Sequence, residues 1–204
     1  MNRKTPYYSS IFFFLLCLRV STDAVSNTLD DLSGLSFGTT EARGTTQIQA
    51  EEEKIEAAFI WQFLQFIEFP KVAAQDMFVI GFIGTSRVEA FFGEIIRQKQ
   101  LQDGRTIELR HLNSLDEIAR CNVLFVAPSE NAKLTQVLSK ARGRGILTIG
   151  RDDEFLSRGG MMNFYIENTR IRFEYNTEEI VSSKLHFSSQ LLRHGRQYSK
   201  TAKE

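Results

Sequence analysis

The chain has 204 residues, enough for about one domain once any leader is set aside. Hydrophobic residues make up 42% and charged residues 25%, a composition that packs a globular core and excludes a wholly disordered chain. Lysine plus arginine and aspartate plus glutamate both number 25, so no net field draws the chain toward nucleic acid or an anionic membrane, and a nucleic-acid partner is not expected.

Residues 1–24 have the pattern of a secretory signal peptide. Arg3 and Lys4 open it, Ile11 to Leu18 form the apolar run "IFFFLLCL", and Thr22-Asp23-Ala24 offers a small-residue cleavage site. A run this short falls well below the roughly 20 residues a membrane-spanning helix needs. Leu16 rather than a small residue precedes Cys17, which argues against lipoprotein processing. The mature chain is therefore expected outside the cytoplasm. Residues 25–50 turn to Ser, Thr, Gly, Asp and Asn with no period of 2 or 3.6, and are expected to be a flexible leader. The folded domain is expected over 51–198, with a tail at 199–204.

Within that domain, "EEEKIEAAFIWQFLQFIEFP" predicts a helix opened by Glu51 to Glu53 and stopped at Pro70. Its apolar positions cover nearly the whole circumference, leaving Gln62, Gln65 and Glu68 as a narrow polar stripe. Such a helix is either a central core element or shares a face with a second subunit or partner. Alternating patterns follow. "MFVIGFIG" reads as a buried strand, "SRVEAFFGEIIRQ" as a helix, "RTIELRHL" as a strand, "SLDEIA" as a short capped helix and "NVLFVAP" as a strand. "SENAKLTQVLSKAR" then reads as a helix opened by Ser129, and "GILTIG" as a strand. Strands separated by helices imply βαβ units, hence an α/β domain whose mixed sheet is at least partly parallel and flanked by helices.

Near the end, "MMNFYIENTRIRFEY" predicts a C-terminal β-hairpin turning at Asn168-Thr169. In this register Ile166 opposes Ile171, Phe164 opposes Phe173 and Met162 opposes Tyr175. On the other face Glu167 opposes Arg170, Tyr165 opposes Arg172 and Asn163 opposes Glu174. A slip by one residue would turn the apolar set into water, so the apolar face fixes the register and the ionic face stays available to a partner. The tail is expected to hold a short helix from Thr177, then "KLHF", then a last helix capped by Ser188 with Leu191 and Leu192 inward.

Sites with chemistry are few. "GFIGTSRVE" follows a strand and opens a helix but lacks both glycine-rich phosphate signatures, leaving an ordinary turn whose helix end near Ser86 can take an anionic group from a small ligand. His111, His186 and His194 sit far apart without ligand spacing, so neither a metal nor a cofactor is expected. No G-x-S-x-G elbow occurs. Asp152 and Asp153 read as a turn cap before Phe155. The rival reading is an acid–base pair completed by His186. No catalytic residue is assigned. Arg172, Lys184 and His186 are the candidates for an anion-binding cleft beside the hairpin. Cys121, the one cysteine left after the signal is removed, heads an apolar run and is expected buried; pairing between subunits and a reactive thiol are the alternatives.

The segments "KIEAAFIWQFLQFIEFP", "CNVLFVAPSE", "ILTIGRDDEFLSRGGMMNFYIENTRIRFEYN" and "LHFSSQLL", in this order and spacing, resemble the YfiR-like family of bacterial secreted regulators from about Lys54 to Arg196. The most specific block holds Gly159, Gly160, Met161, Phe164, Glu167, Asn168, Arg170, Ile171, Arg172, Phe173, Glu174 and Asn176, followed by Ser188, Ser189, Leu191 and Leu192. The resemblance implies a periplasmic α/β protein, often a homodimer. It also implies a partner: the periplasmic sensory domain of a membrane-anchored diguanylate cyclase, held inactive so that cyclic-di-GMP and biofilm formation fall. It equally admits another membrane signalling protein such as a kinase, or a small-molecule ligand. Glu167, Arg170, Arg172 and Glu174 are the expected partner contacts, helped by the first helix. The chain departs from the family at two places. Gly81 stands where many members carry a cysteine, so no disulfide from there to Cys121 can form, and Lys184 stands where glycine is usual.

Overall fold

Apolar residues three and four apart, Ala57, Ile60, Phe63 and Leu64, place one side of a long helix against a sheet. In the computed structural model, which describes residues 40–70, 77–97 and 99–199, this helix, α1, spans Thr40–Phe66. It begins well before the expected Glu51. Residues 45–49 are exposed, so nothing there needs an apolar period, and the sequence carries no sign of the extra turns. Its circumference is also less covered than expected, with Ile55 43% exposed. The signal peptide, the leader up to residue 39 and residues 200–204 lie outside the described residues.

The remaining elements are β1 (Ile67–Glu68), β2 (Met77–Ile83), α2 (Val88–Ile96), β3 (Thr106–Leu112), β4 (Val123–Val126), α3 (Leu134–Ala141) and β5 (Leu147–Gly150). After them come β6 (Met162–Glu167), β7 (Arg170–Tyr175), α4 (Thr177–Ser182), β8 (His186–Phe187), α5 (Ser189–Leu192) and β9 (Arg196–Gln197). A seven-stranded sheet runs β3-β2-β4-β5-β6-β7-β9, and β1 pairs with β8 in a separate antiparallel ribbon. All neighbours in the large sheet are parallel except the β6–β7 hairpin.

Both faces of the sheet are covered, which is why β2, β4 and β5 read as continuous apolar runs. Phe78, Ile80, Phe82, Val123 and Phe125 meet α1 and α2. Val79, Ile83, Leu124 and Val126 meet Ile118, α3 and Phe155 on the opposite face. The "SLDEIA" segment is a 3-10 turn over Leu115–Arg120 with a Ser114–Glu117 capping box. The helix expected from Ser129 divides instead. Pro128–Lys133 is 3-10 and α3 follows it, while the Ser129 hydroxyl accepts a 2.8 Å hydrogen bond from Thr85 N.

The hairpin register matches the expected one pair for pair. Asn168 and Thr169 both take left-handed backbone angles, φ 50° and 61°, the geometry of a type I′ turn whose twist suits the two strands. Phe164 and Phe173 are buried against Phe63 of α1, with ring centroids 5.8 and 5.0 Å away. Ile166, expected in the core, is 49% exposed. β5 pairs with β6 only at Met162 and Asn163, so the strand continues past its neighbour and Ile166 overhangs.

Cys121 is buried, 6% exposed, and burial pushes its thiol up to about 11. A Cβ built on Gly81 would stand 2.6 Å from Cys121 Sγ, so a side chain at 81 would press directly on that sulfur.

Candidate functional site

Strand order alone marks one location. The chain passes from β2 to β3 on one flank and then places β4 on the other, so the connections diverge at the C-terminal ends of β2 and β4. In open α/β sheets a crevice forms at such a switch point. Here it holds a cleft of about 420 Å³. Thr85 and Ser86 follow β2, Pro128 and Ser129 follow β4, and Arg151 follows β5. Gln49, Glu53 and Glu56 descend from α1, and Phe125 supplies the apolar floor.

The loops are held close by specific contacts. Gly84 adopts φ 87°, and a Cβ there would come within 2.5 Å of Ser129 Oγ, so glycine alone permits the approach of the two loops. Behind Arg151, the Phe155 ring fills the space where side chains on Gly150 and Gly160 would sit, with each added Cβ 2.2 Å from a ring carbon. Buried Asn163 accepts from Asp152 N at 3.0 Å and ties this segment to the hairpin.

The electrostatics come from α1. Glu53 Oε1 accepts from Ser86 Oγ at 2.9 Å and Arg87 N at 3.2 Å, so the protein's own carboxylate occupies the amino end of α2 where an anionic ligand group was expected. Arg151 reaches Glu52 Oε2 at 2.5 Å through Nη2 and Glu56 Oε1 at 2.9 Å through Nη1. Glu56 is 1% exposed. Burial, with Glu53 and Glu52 adding repulsion against the pull of Arg151, raises its carboxyl to about 7.

None of Glu52, Glu53, Glu56 and Arg151 was singled out from sequence, because "EEEKIE" reads as charge at a helix start. Extending the apolar stripe backwards by four residues from Ile60 and from Ala57 reaches Glu56 and Glu53, the signal that could have found them.

The expected partner contacts divide. Glu167, Arg170 and Arg172 are exposed on the hairpin, Arg172 Nε being 3.9 Å from Glu167 Oε2. Glu174 is not on the open face: it is 9% exposed and accepts from Arg196 Nη2 at 2.7 Å and Asn163 Nδ2 at 3.4 Å. The returning strand β9 covers it, and β9 was too short to register as a pattern. Arg172 lies in the large sheet while His186 lies opposite Glu68 in the small ribbon, and neither they nor Lys184 line the cleft. Lys184 takes φ 64°, a left-handed backbone conformation that glycine adopts more readily than lysine. Asp152 Oδ1 accepts from Glu154 N at 2.9 Å in a turn, away from the ribbon that holds His186. His111 pairs with Glu89 at 2.9 Å. The described residues hold no group of three or more potential metal ligands.

A doubly covered, mostly parallel sheet with a polar switch-point cleft and an overhanging hairpin defines an α/β domain of mixed-sheet type. The YfiR/HmsC-like family model matches residues 53–196, and the chain belongs to that family, whose members are periplasmic regulators. Among curated proteins none matches. Two solved structures are similar in part. One is the ABC domain in complex with L-Trp from Streptococcus pneumonia, with TM-score 0.43 and 12% identity over 59% of this chain and 54% of that one. The other is a conserved domain protein from Vibrio cholerae, with TM-score 0.48 and 7% identity over 72% of this chain and 60% of that one. In both cases the chain spans less than two thirds of the other's length. No described helix is long and apolar enough to cross a membrane.

Proposed function

We propose that this protein is a non-enzymatic regulator that reaches the periplasm through the signal peptide of residues 1–24. There it docks on and represses the sensory domain of a membrane-anchored diguanylate cyclase, lowering cyclic-di-GMP and biofilm formation. Family membership supports the class. The observation that carries the docking reading is the hairpin overhang. Beyond Asn163, β6 has no β5 neighbour; half-exposed Ile166 lies there on one face of the hairpin, and Glu167, Arg170 and Arg172 are exposed on the other. An unpaired strand edge beside an apolar residue and two cations suits recognition by strand addition. The working unit is a homodimer, for which Ile48 and Ile55, 62% and 43% exposed and two turns apart on α1, offer an apolar stripe.

Arg172→Glu tests the docking face. Affinity for the purified sensory domain is expected to fall at least about tenfold with repression of the cyclase lost in cells, since a charge reversed at a contact repels its counterpart. Full repression by the Arg172→Glu protein would move the docking surface elsewhere.

The cleft favours a second reading, a small-molecule sensor that feeds a membrane kinase or another receptor. Its volume lies toward the lower end of the roughly 300–1,000 Å³ of small-molecule sites. A thermal shift on ligand addition is its direct measure.

A further inference from the structure

The large sheet ends differently at its two edges. At one end β9 offers only two residues, a short edge that discourages further pairing. At the other lies β3, seven residues long, paired with β2 without a break from Thr106 to Leu112 and with no strand on its outer side among the described residues. It carries no proline, no lysine and no bulge, devices that commonly blunt an edge. Its outward backbone groups are therefore a template for another strand.

The side chains along β3 suit one partner in particular. Ile107 and Leu109 pack toward the α1–α2 side of the sheet, where His111 also meets Glu89 of α2. Glu108 and Arg110 stand on the opposite face with Leu112. They pair along the strand at 2.5 Å and keep 29% and 35% exposure, so an acidic and a basic group lie side by side at the open edge.

A second copy of β3 laid antiparallel, with a two-fold axis through Leu109 and normal to the sheet, matches this pattern to itself. Thr106 then faces Leu112, Ile107 faces His111 and Glu108 faces Arg110 of the other copy. All seven residues pair, and each charge gains a second opposite neighbour. Moving the axis by one residue either way shortens the overlap and sets Glu108 against Glu108, or Arg110 against Arg110, an arrangement that repulsion opposes. The register of longest overlap is thus also the one that the charges select.

We propose that the edge of β3 is the contact between two copies of this chain, joining their sheets into one through antiparallel β3 strands centred on Leu109. This rests on the homodimer of the functional reading and assigns the pairing to the sheet edge, with Ile48 and Ile55 on α1 as the rival surface.

Sedimentation equilibrium of the full mature protein tests it. The wild type is expected as a dimer. Glu108→Arg and Arg110→Glu each create like-charge pairs on both sides of the axis and should raise the dimer dissociation constant at least about tenfold. An equimolar mixture of the two variants sets arginines against glutamates at both positions and should return to wild-type affinity, a rescue that misfolded variants would not give. Ile55→Arg should leave dimerisation unchanged. Charge variants that dimerise like wild type, or a mixture that gains nothing over either variant alone, would overturn the edge pairing. Loss of the dimer in Ile55→Arg alone would also overturn it while leaving the homodimer standing on α1. A wild type that stays monomeric throughout the micromolar range would overturn the edge pairing and the homodimer together.

Discussion

At the end of β5, Arg151 and Glu56 meet at 2.9 Å with side chains 22% and 1% exposed, whereas at the hairpin tip Arg172 and Glu167 stand 3.9 Å apart and are 44% and 48% exposed. The residue types are the same and the consequences differ. The inner pair has given up much of its hydration, so removing the cation leaves the carboxylate stranded in a medium of low dielectric constant, while Arg151 without Glu56 still has Glu52. The outer pair keeps its water, and its mutual attraction is screened to a small fraction of that. A charge at the cleft is therefore committed to the fold, while a charge at the hairpin tip can be spared for a partner.

Arg151→Ala is the most severe test of that contrast. It leaves Glu52, Glu53 and Glu56 facing one another without a cation, and is expected to cost about 3–5 kcal/mol in urea denaturation at pH 8. The loss should shrink at pH 5, where Glu56 is protonated. A cost below about 1 kcal/mol at pH 8 would mean the cluster is as well hydrated as the hairpin, and the contrast would fail.

Glu56→Gln works in the opposite direction. The folded-state pKa of about 7 lies above the ordinary 4.5, so the native state holds this proton more tightly than the unfolded chain does. The resulting stability is fully present below about pH 4.5 and is lost as pH rises to about 7, on the order of 3 kcal/mol in all. Removing the carboxylate should flatten the stability profile across that window and raise stability at pH 8 by a similar amount. Parallel urea titrations of both proteins at pH 5 and pH 8 give the answer. An unchanged slope would assign the pH dependence to other groups.

The two regions were also unequally legible in the sequence. The hairpin could be read residue by residue because strict alternation of "MNFYIE" against "RIRFEY" admits one register, and Asn168-Thr169 sits where both backbone angles must turn positive. The partly parallel sheet and its flanking helices followed from apolar runs between helical segments, while the strand order did not. The cleft could not be read this way. Its residues come from α1, from β4, from the two segments that follow β2 and β4, and from the end of β5, and no local period links Glu56 to Arg151, ninety-five positions further along the chain. Even at the hairpin, alternation reported side and not depth. It placed Glu174 on the outer face correctly but could not foresee that β9 would cover it, or that β6 would outrun β5 and expose Ile166.

Glu174 sits between the extremes and ranks third in expected effect. Its side chain, 11% exposed, takes donors from Arg196 and Asn163, and Asn163 in turn receives Asp152 N beside Arg151. Polar contacts thus run without a break from the cleft to the outer hairpin, where Arg196 also lies 4.0 Å from the Tyr165 ring. Glu174→Ala should cost about 2 kcal/mol, chiefly by leaving Asn163 Nδ2 unpaired, since Arg196 can turn to water. Thermal unfolding of Glu174→Ala alongside Asn163→Ala separates the contributions. If the two losses add fully in the double variant, the contact between them carries no coupling.

The smallest effect is expected at Arg172. Replacement by alanine removes one exposed partner of Glu167 at a separation where water already screens the pair, and Arg196 Nη1 remains 4.0 Å from the same carboxylate. Stability should change by less than about 0.5 kcal/mol, a shift of roughly 1–2 °C for a domain of this size. The value of so small a number lies in its pairing with a functional readout. A residue that contributes almost nothing to the fold, yet whose loss weakens repression of the cyclase, holds its charge for something outside the molecule. A loss above about 1.5 kcal/mol would show instead that Arg172 is anchored like Arg151, and the hairpin tip would then belong to the scaffold rather than to recognition.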